Sequence, residues 1–340
     1  MIPVKNIYYM LAYAFQTLNE QGYKSLATEE FENIAELCSE ILVRGMKSQI
    51  KRGIMREYIP YSEETSLIRG KINVTESVKK QTNKRNKLVC EYDEYSLDCT
   101  ANRIIKCTLL YLLKLNTSKA IKREIRNVLV YLKDVTEINR NFIDWNINFN
   151  RNNQTYRMMI AICYLVLKGL IQTNNNGTTK MMDFLDIQKM YRLYEKFLLE
   201  YFKKEHKELS VSSSQIGWQL DDDYSDMLPI MQSDILIEGK EKVLIIDAKY
   251  YENILQGRYD KKSVHSGNLY QIFTYVKNKK LDTEKEVIGM LLYAKTDEEI
   301  IPDNIYSMSG NKIIVRTLDL NQEFELIRKD LDLITKILKE

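Results

Sequence analysis

Three charged residues stand at the ends of two short apolar segments between Ser233 and Tyr251. Asp234 opens the first segment, and Asp247 and Lys249 close the second. Both segments are rich in β-branched residues, which favours strands inside a sheet. Side chains alternate along a strand, so Asp247 and Lys249 should point the same way, and an adjacent hairpin strand can bring Asp234 beside them. The spacing therefore predicts two carboxylates and an ammonium at one edge of a sheet.

Such a group of side chains suits metal-assisted phosphodiester hydrolysis. Two converging carboxylates favour a hard cation, Mg²⁺ or Mn²⁺, over a soft metal. The lysine can orient or help deprotonate the attacking water, and it can offset negative charge that builds on the phosphate. Charged residues at strand ends are nevertheless frequent, and a surface hairpin with a solvated salt bridge would show the same pattern. Both interpretations stay open on these three residues alone.

Two predicted amphipathic helices add further polar candidates. In the helix predicted over 184–206, Glu195 lies beside an apolar stripe, where it could supply a third carboxylate or simply face solvent. In the helix predicted over 268–279, Gln271 and Tyr275 are four residues apart and share one face. A core tyrosine with a surface glutamine would show that spacing too. The order of all these motifs along the chain favours one common site.

These motifs resemble those of known nucleases. The Asp-x₁₂-Asp-x-Lys pattern, with Ser233 in place of the usual proline, resembles the active-site core of the PD-(D/E)XK superfamily. The Gln-x-x-x-Tyr pair resembles the motif of its RecB-like branch. Segments 2–14, 68–72 and 90–106 resemble the McrC family, the nuclease subunits of McrBC modification-dependent (type IV) restriction systems. This last resemblance runs essentially end to end.

The resemblance to McrC implies roles for individual residues. The implied catalytic residues are Asp234, Asp247, Lys249, Glu195 and Gln271. The implied metal ligands are Asp234, Asp247 and the backbone carbonyl of Ala248, with Glu195 as a further candidate. Lys249 would be the catalytic lysine, whereas Glu195 and Gln271 would support it.

The same resemblance implies partners. A hexameric AAA+ GTPase of the McrB type would recognise methylated cytosine in DNA and be stimulated by this subunit. The sequence contains no Gly-x₄-Gly-Lys-Ser/Thr loop, so GTP would be used by the partner and not by this chain. One active site cuts one strand, so cleavage of double-stranded DNA would need a second copy of the chain. The alternatives are a free-standing RecB-like nuclease, a catalytically silent adaptor of the GTPase, and a DNA-binding module without a partner.

Positive charge is local, since the formal net charge is only +3. The predicted DNA contacts are Arg258, Lys261, Lys262 and Tyr275, of which the three cations follow the catalytic lysine. The basic segment 79–87 could face the partner or only solvent. The predicted partner contacts are Arg52, Arg56, Arg69 and Lys71, although charges that protect an edge strand from aggregation would look the same.

Composition indicates a soluble globular protein, with 44% hydrophobic and 29% charged residues. No apolar stretch approaches the ~18 residues that a membrane span needs, and no signal peptide is recognisable, so a cytoplasmic location without membrane contact is expected. Five isolated cysteines and two histidines make a structural zinc site improbable.

The asparagine-rich segment 174–179 predicts a domain boundary. Residues 1–176 would form a mostly helical, partner-engaging domain with a projecting β-hairpin over 52–76, turning at Ser62–Thr65. Residues 177–340 would form a PD-(D/E)XK endonuclease domain. Its α/β architecture would place helices on both sides of a mixed central sheet, giving a two-domain α+β protein. Predicted helices cover 5–20, 29–47, 101–116, 119–133, 154–172, 184–206, 268–279 and 321–339; predicted strands lie near 211–217, 233–238, 243–250, 286–294 and 311–317.

Overall fold

The computed structural model describes residues 2–19, 23, 25–26, 29–150, 153–169, 187–222, 224–251, 255–258, 261–295 and 301–339. The chain forms two compact units. The first unit combines Met1–Phe31 with Gln172–Glu340, and the second unit is Glu32–Ile171. Both units mix helices with strands. Within the described residues, no helix is long and apolar enough to cross a membrane.

The N-terminal segment belongs to the first unit because helix α1 (Val4–Ala14) packs against helix α7 (Ile187–Glu205). The Tyr13 ring lies 5.7 Å from that of Phe197, and its hydroxyl donates a 2.8 Å hydrogen bond to Glu205. The sequence prediction instead placed residues 1–31 with the other N-terminal residues. A boundary signal is local, whereas the partner of an apolar helix face can lie far along the chain. The asparagine-rich segment itself lies outside the described residues.

A six-stranded mixed sheet organises the first unit. Its strands run in the order β12, β13, β11, β8, β7, β4. Strands β8, β11 and β13 are parallel, whereas β12, β7 and β4 each join their neighbours antiparallel. The bounds are β4 Ser210–Ser212, β7 Ile235–Glu238, β8 Lys242–Lys249, β11 Glu286–Ala294, β12 Asn304–Met308 and β13 Asn311–Leu318.

Two short strand pairs accompany this sheet. They are β5 Gln215–Ile216 with β6 Met231–Gln232, and β9 Leu255–Arg258 with β10 Lys261–Val264. The strand predicted near 211–217 is thus divided between two sheets, and β9, β10 and β12 were not predicted.

The centre of the sheet is buried on both faces, as the continuous apolar runs in β8 and β11 predict. Helix α8 (Ser266–Leu281) packs directly on β11. A methyl group at Gly289 would lie only 2.7 Å from Val276 Cγ2 and 2.8 Å from Ile272 Cγ1, so glycine is what allows this close approach. Helix α9 (Phe324–Lys336) ends the described chain of this unit.

The second unit combines helices with a small antiparallel sheet. Its helices are α2 Ile34–Arg52, α3 Val74–Lys79, α4 Thr100–Leu112, α5 Lys119–Val130 and α6 Gln154–Gly169. Helix α2 begins after Asn33, whose side chain accepts a 3.0 Å hydrogen bond from the Glu36 N–H and so caps the first turn. Helix α2 packs against α4, α5 and α6.

The predicted hairpin over 52–76 is wrong. Ser62–Thr65, the predicted turn, lies inside strand β1 (Glu57–Thr65), and the short strand β2 is Lys71–Ile72. Both strands pair with β3 (Leu88–Ser96), in the order β1, β3, β2. The partner strand was missed because its charged residues conceal the alternation that would identify it.

Candidate active site

Strands β7 and β8 bring the two predicted aspartates to the same place. Ile235 lies opposite Ile246 in the antiparallel register, so Asp234 and Asp247 occupy the next opposed positions. The N–H of Ala248 donates a 2.8 Å hydrogen bond to Asp234 Oδ2, which fixes that carboxylate against β8. Asp247 is 1% exposed and Asp234 is half-buried. The predicted convergence of the two carboxylates is therefore present in the fold.

Lys249 completes this group. Its Nζ lies 2.8 Å from Asp247 Oδ2, and both side chains are almost fully buried. The ion pair with Lys249 is the close polar contact of Oδ2, which has no well-aligned hydrogen bond among the described residues. Lys249 donates instead to Gln271 Oε1 at 3.3 Å. A buried carboxylate oxygen without a hydrogen bond is uncommon and needs an explanation.

Helix α8 holds Gln271 through a short chain of hydrogen bonds. Gln271 Nε2 donates to the Tyr275 hydroxyl at 2.9 Å, and that hydroxyl donates to the carbonyl of Gln232 at 3.2 Å. Because Gln232 lies two residues before Asp234, these hydrogen bonds connect the lysine to the segment that leads into the first aspartate. The side chain of Tyr275 is buried, so it can hold Gln271 in place. Gln271 in turn accepts the hydrogen bond from Lys249, so this pair of residues positions the lysine.

The electrostatics of the site are dominated by burial. Burial raises the pKa of Asp234, and the charges of Asp247 and Glu195 raise it further. Burial also raises the pKa of Asp247, although the charge of Lys249 acts in the opposite direction. Burial would lower the pKa of Lys249, but the charge and close contact of Asp247, together with Tyr251 and Asp234, raise it overall. The lysine is therefore an ammonium, and the two carboxylates compete for protons.

Helix α7 adds Tyr191 and Glu195, one helical turn apart, to this end of the sheet. The ring centroid of Tyr191 lies 6.0 Å from Lys249 Nζ. Burial raises the pKa of Tyr191 most, and the charge of Asp234 and a hydrogen bond with Glu195 raise it further. Within the described residues, no three His, Cys, Asp or Glu side chains are grouped closely enough to hold a metal ion. Glu195 is thus near the aspartates without forming a three-carboxylate cluster.

Comparison with known proteins identifies the family. The sequence profile described as "McrBC 5-methylcytosine restriction system component" matches residues 4–294. The chain belongs to this McrBC family. The family resemblance found in the sequence motifs is thereby confirmed.

A curated relative supports the same assignment for this McrBC-family chain. The Type IV methyl-directed restriction enzyme EcoKMcrBC of Escherichia coli (strain K12) is 31% identical over 348 residues, covering 100% of this chain and 99% of the relative. A chain of the refined half-complex from a tetradecameric assembly of Thermococcus gammatolerans McrB AAA+ hexamers with bound McrC has a similar fold. That match has a TM-score of 0.50 at 17% identity, over 98% of this chain and 76% of the other.

The donor set of this McrBC-family chain fits a hard divalent cation. Mg²⁺ is commonly held by one or two carboxylates, with the substrate phosphate completing its ligands. Asp234 and Asp247 supply such a pair, and Asp247 Oδ2 is a buried oxygen with no hydrogen-bond partner among the described residues. A cation there would displace the protons that the raised pKa values of the two carboxyls favour. The carbonyl of Ala248 stays a predicted ligand.

Three residues that the motifs did not indicate, Tyr251, Asn268 and Tyr293, form a hydrogen-bonded group near Lys249. Asn268 is buried, donates to the Tyr293 hydroxyl at 2.9 Å and accepts from the Tyr251 hydroxyl at 3.2 Å. Tyr293 lies directly opposite Lys249 in the parallel β8–β11 register. One sequence signal was available, since Asn268 precedes Gln271 by three positions and so shares its helix face.

The structure places the other predicted contacts as follows. Arg258 and Lys261 are opposed in the β9–β10 pair, so the segment after the catalytic strand is a strand pair and not an open loop. Tyr275 is 6% exposed, which favours positioning over contact with DNA. The predicted partner contacts Arg52, Arg56, Arg69 and Lys71 are all exposed on the second unit. Arg69 lies 5.8 Å from the ring centroid of Tyr92.

Proposed function

We propose that this chain is the Mg²⁺-dependent DNA endonuclease subunit of a GTP-driven restriction system, with a PD-(D/E)XK active site. The buried pair of Lys249 and Asp247, opposite Asp234, carries this proposal. A structural salt bridge would not need a second carboxylate and an oxygen without a hydrogen bond beside it. Burial of two carboxyls and an ammonium together costs folding free energy, which is typical of a site kept for its chemistry.

Each residue has a distinct task in phosphodiester hydrolysis. Asp234 and Asp247 would hold Mg²⁺, with Mn²⁺ as a substitute, and the ion supplies polarisation of the phosphate when bound. Lys249 would orient the attacking water and offset negative charge on the phosphate oxygens in the transition state. Gln271 fixes the ammonium by accepting its hydrogen bond, while Glu195 and Tyr191 support Asp234 from α7.

Three partners follow from this proposal. An McrB-like AAA+ hexamer, of the kind bound to McrC in the Thermococcus gammatolerans assembly, would use GTP. It would recognise methylated cytosine, as the names of the family and of the E. coli relative suggest. Double-stranded DNA would be the substrate, with Arg258, Lys261 and Lys262 near its backbone. A second copy of the chain would cut the opposite strand.

Cleavage assays test this function. Wild type and Asp247→Ala would be incubated with Mg²⁺ and methylated or unmethylated plasmid, each with and without the GTPase and GTP. We expect cutting only by wild type with partner, GTP and methylated DNA. Cutting by wild type alone would favour a free-standing nuclease, and accelerated GTP hydrolysis without any cutting would favour a silent adaptor.

The partner contacts need a separate experiment. Arg52, Arg56, Arg69 and Lys71 would be changed to alanine together, and GTP hydrolysis by the partner would be measured. Loss of stimulation with a normally folded chain would support contact through the β1–β3–β2 sheet. Unchanged stimulation would mean that these charges protect an exposed edge strand instead.

A further inference from the structure

The two units of the chain differ sharply in charge. Residues 32–171 contain 24 Lys and Arg against 15 Asp and Glu, a formal net charge of +9. The remainder contains 26 Lys and Arg against 32 Asp and Glu, a net charge of −6. The overall value of +3 conceals this asymmetry. A strongly basic unit attached to an acidic one indicates a polyanionic partner for the basic unit.

Part of this positive charge is concentrated on one helix. Lys119, Arg123 and Arg126 of α5 are exposed and Lys122 is half-exposed; these four residues are the basic face of α5. Their spacing places them along one side of the helix for about 10 Å, at 1.5 Å per residue. The buried Val128 lies on the opposite side, and together with the buried Ile125 it anchors the helix in the unit.

The basic face lacks acidic partners. None of its four side chains lies within ion-pair distance of a carboxylate in the described part of the chain, whereas other cations of the same unit do pair. Arg103 lies 2.7 Å from Asp98 and Arg85 lies 3.1 Å from Glu64. The one acidic residue of α5, Glu124, pairs with Lys47 of α2 at 2.5 Å. The carboxylate that could have neutralised the face is therefore engaged elsewhere.

This arrangement works against helix stability. Lys119 and Arg123 are like charges four residues apart, as are Lys122 and Arg126, and such pairs destabilise a helix. The first turn contains lysine and no acidic residue, so the cations also face the positive end of the helix dipole. A bound polyanion would relieve both effects at once.

We infer that the basic face of α5 binds the phosphate backbone of double-stranded DNA, giving the second unit a DNA contact of its own. Lysine and arginine side chains bind phosphates with release of condensed cations and without reading sequence. No large apolar side chain is exposed between Lys119 and Arg126, and the exposed Val130 and Tyr131 lie about one turn beyond the basic face. Protein interfaces need an apolar core, whereas DNA interfaces are polar and basic. The choice of DNA as the polyanion rests on the proposed function.

Salt-dependent binding tests this inference. The full chain, in EDTA to prevent cleavage, would be titrated onto a fluorescent duplex of about 30 base pairs at salt from about 50 mM to about 200 mM. The test variant is Lys119→Gln/Lys122→Gln/Arg123→Gln/Arg126→Gln, because glutamine keeps helix propensity. The matched control, Lys79→Gln/Lys80→Gln/Lys84→Gln/Lys87→Gln, removes equal charge from the same unit.

The inference predicts a distinct result for the test variant. Its slope of log affinity against log salt should be shallower than that of wild type by about 3 to 4, since each phosphate contact contributes about 0.9. Wild type should then lose about 10²-fold more affinity than the test variant over the same salt range. The charge-preserving swap Lys119→Arg/Lys122→Arg/Arg123→Lys/Arg126→Lys should keep the wild-type slope, which separates charge from folding.

Two outcomes would overturn the inference. Equal losses in the test and control variants would show that only net charge matters. If the test variant binds DNA as tightly as wild type but no longer stimulates the GTPase, the basic face contacts the protein partner instead. Binding in EDTA does not require cleavage, so a salt slope that changes in the test variant supports the inference even if the proposed nuclease activity is absent.

Discussion

The ammonium of Lys249 lies 2.8 Å from Oδ2 of Asp247, although the two side chains are only 7% and 2% exposed. Both charged groups of so deeply buried an ion pair lose most of their hydration. The attraction between the two charges offsets only part of that free-energy cost. Asp234, opposite Asp247, adds a second carboxylate to the same end of the sheet. Burial and the neighbouring charges raise the pKa of Asp234 to about 9, so this carboxyl keeps its proton until a divalent cation displaces it.

Gln271 should act on the rate and not on DNA affinity. Gln271→Ala removes the acceptor at 3.3 Å that orients Lys249 Nζ, so we expect kcat to fall about 10- to 100-fold with KM for DNA little changed. Tyr275→Phe removes only the hydroxyl that holds Gln271 and should lower kcat about 5-fold. Steady-state kinetics would measure both. A rise in KM at constant kcat would instead make these residues DNA contacts.

The metal ligands can be separated from their neighbours by Mn²⁺ binding, followed by electron paramagnetic resonance without DNA. Asp247→Asn should weaken binding at least about tenfold, because it removes a ligand. Glu195→Gln should weaken it less, since Glu195 lies outside any three-carboxylate group among the described residues. Equal losses for the two variants would show that Glu195 is itself a ligand.

Asp234 should destabilise the metal-free protein as pH rises. Its pKa is raised on folding, so the folded state binds more protons, and stability falls from about pH 4 toward alkaline pH. Asparagine does not titrate. Asp234→Asn should therefore raise Tm in EDTA by an amount that grows from about pH 4 to about pH 8. Thermal denaturation at several pH values would measure this. Asp221→Asn, at an exposed position, is the control and should leave Tm unchanged. A loss of Tm for Asp234→Asn that is the same at every pH would contradict the electrostatic account.

Gly289 links packing to the site. An added methyl would press on Val276 and Ile272 of α8, the helix that carries Gln271. Gly289→Ala should therefore cost about 1–3 kcal/mol in the free energy of unfolding and also slow cleavage. The control is Gly267→Ala in α8 itself, where no atom lies within 4 Å of the added methyl. Denaturant unfolding compares the two, and equal stability would mean that α8 adjusts freely.

The placement of the three central residues could be predicted because it depends on local rules. Alternation along β8 puts Asp247 and Lys249 on one face, and a hairpin partner brings Asp234 opposite. Helical spacing likewise paired Gln271 with Tyr275.

The features that could not be predicted from the sequence are contacts between segments far apart in the chain. Strand β1 pairs with β3, beyond the two segments predicted to form a hairpin, and α1 packs against α7 from the other end of the chain. The contribution of Tyr293 follows from the β8–β11 register, which no local pattern reveals. Long-range pairing of this kind is decided by the whole fold and not by periodicity.

The most direct test of the proposed active site compares two lysines of the same strand. Lys249 ends β8, whereas Lys242 begins it and pairs with Glu286 at 3.5 Å near the surface. Single-turnover cleavage of methylated DNA would be measured with the GTPase partner, GTP and Mg²⁺. Lys249→Ala should lose at least about 10³-fold in rate while still stimulating GTP hydrolysis, and Lys242→Ala should cut at the wild-type rate. Normal cutting by Lys249→Ala would contradict the assignment.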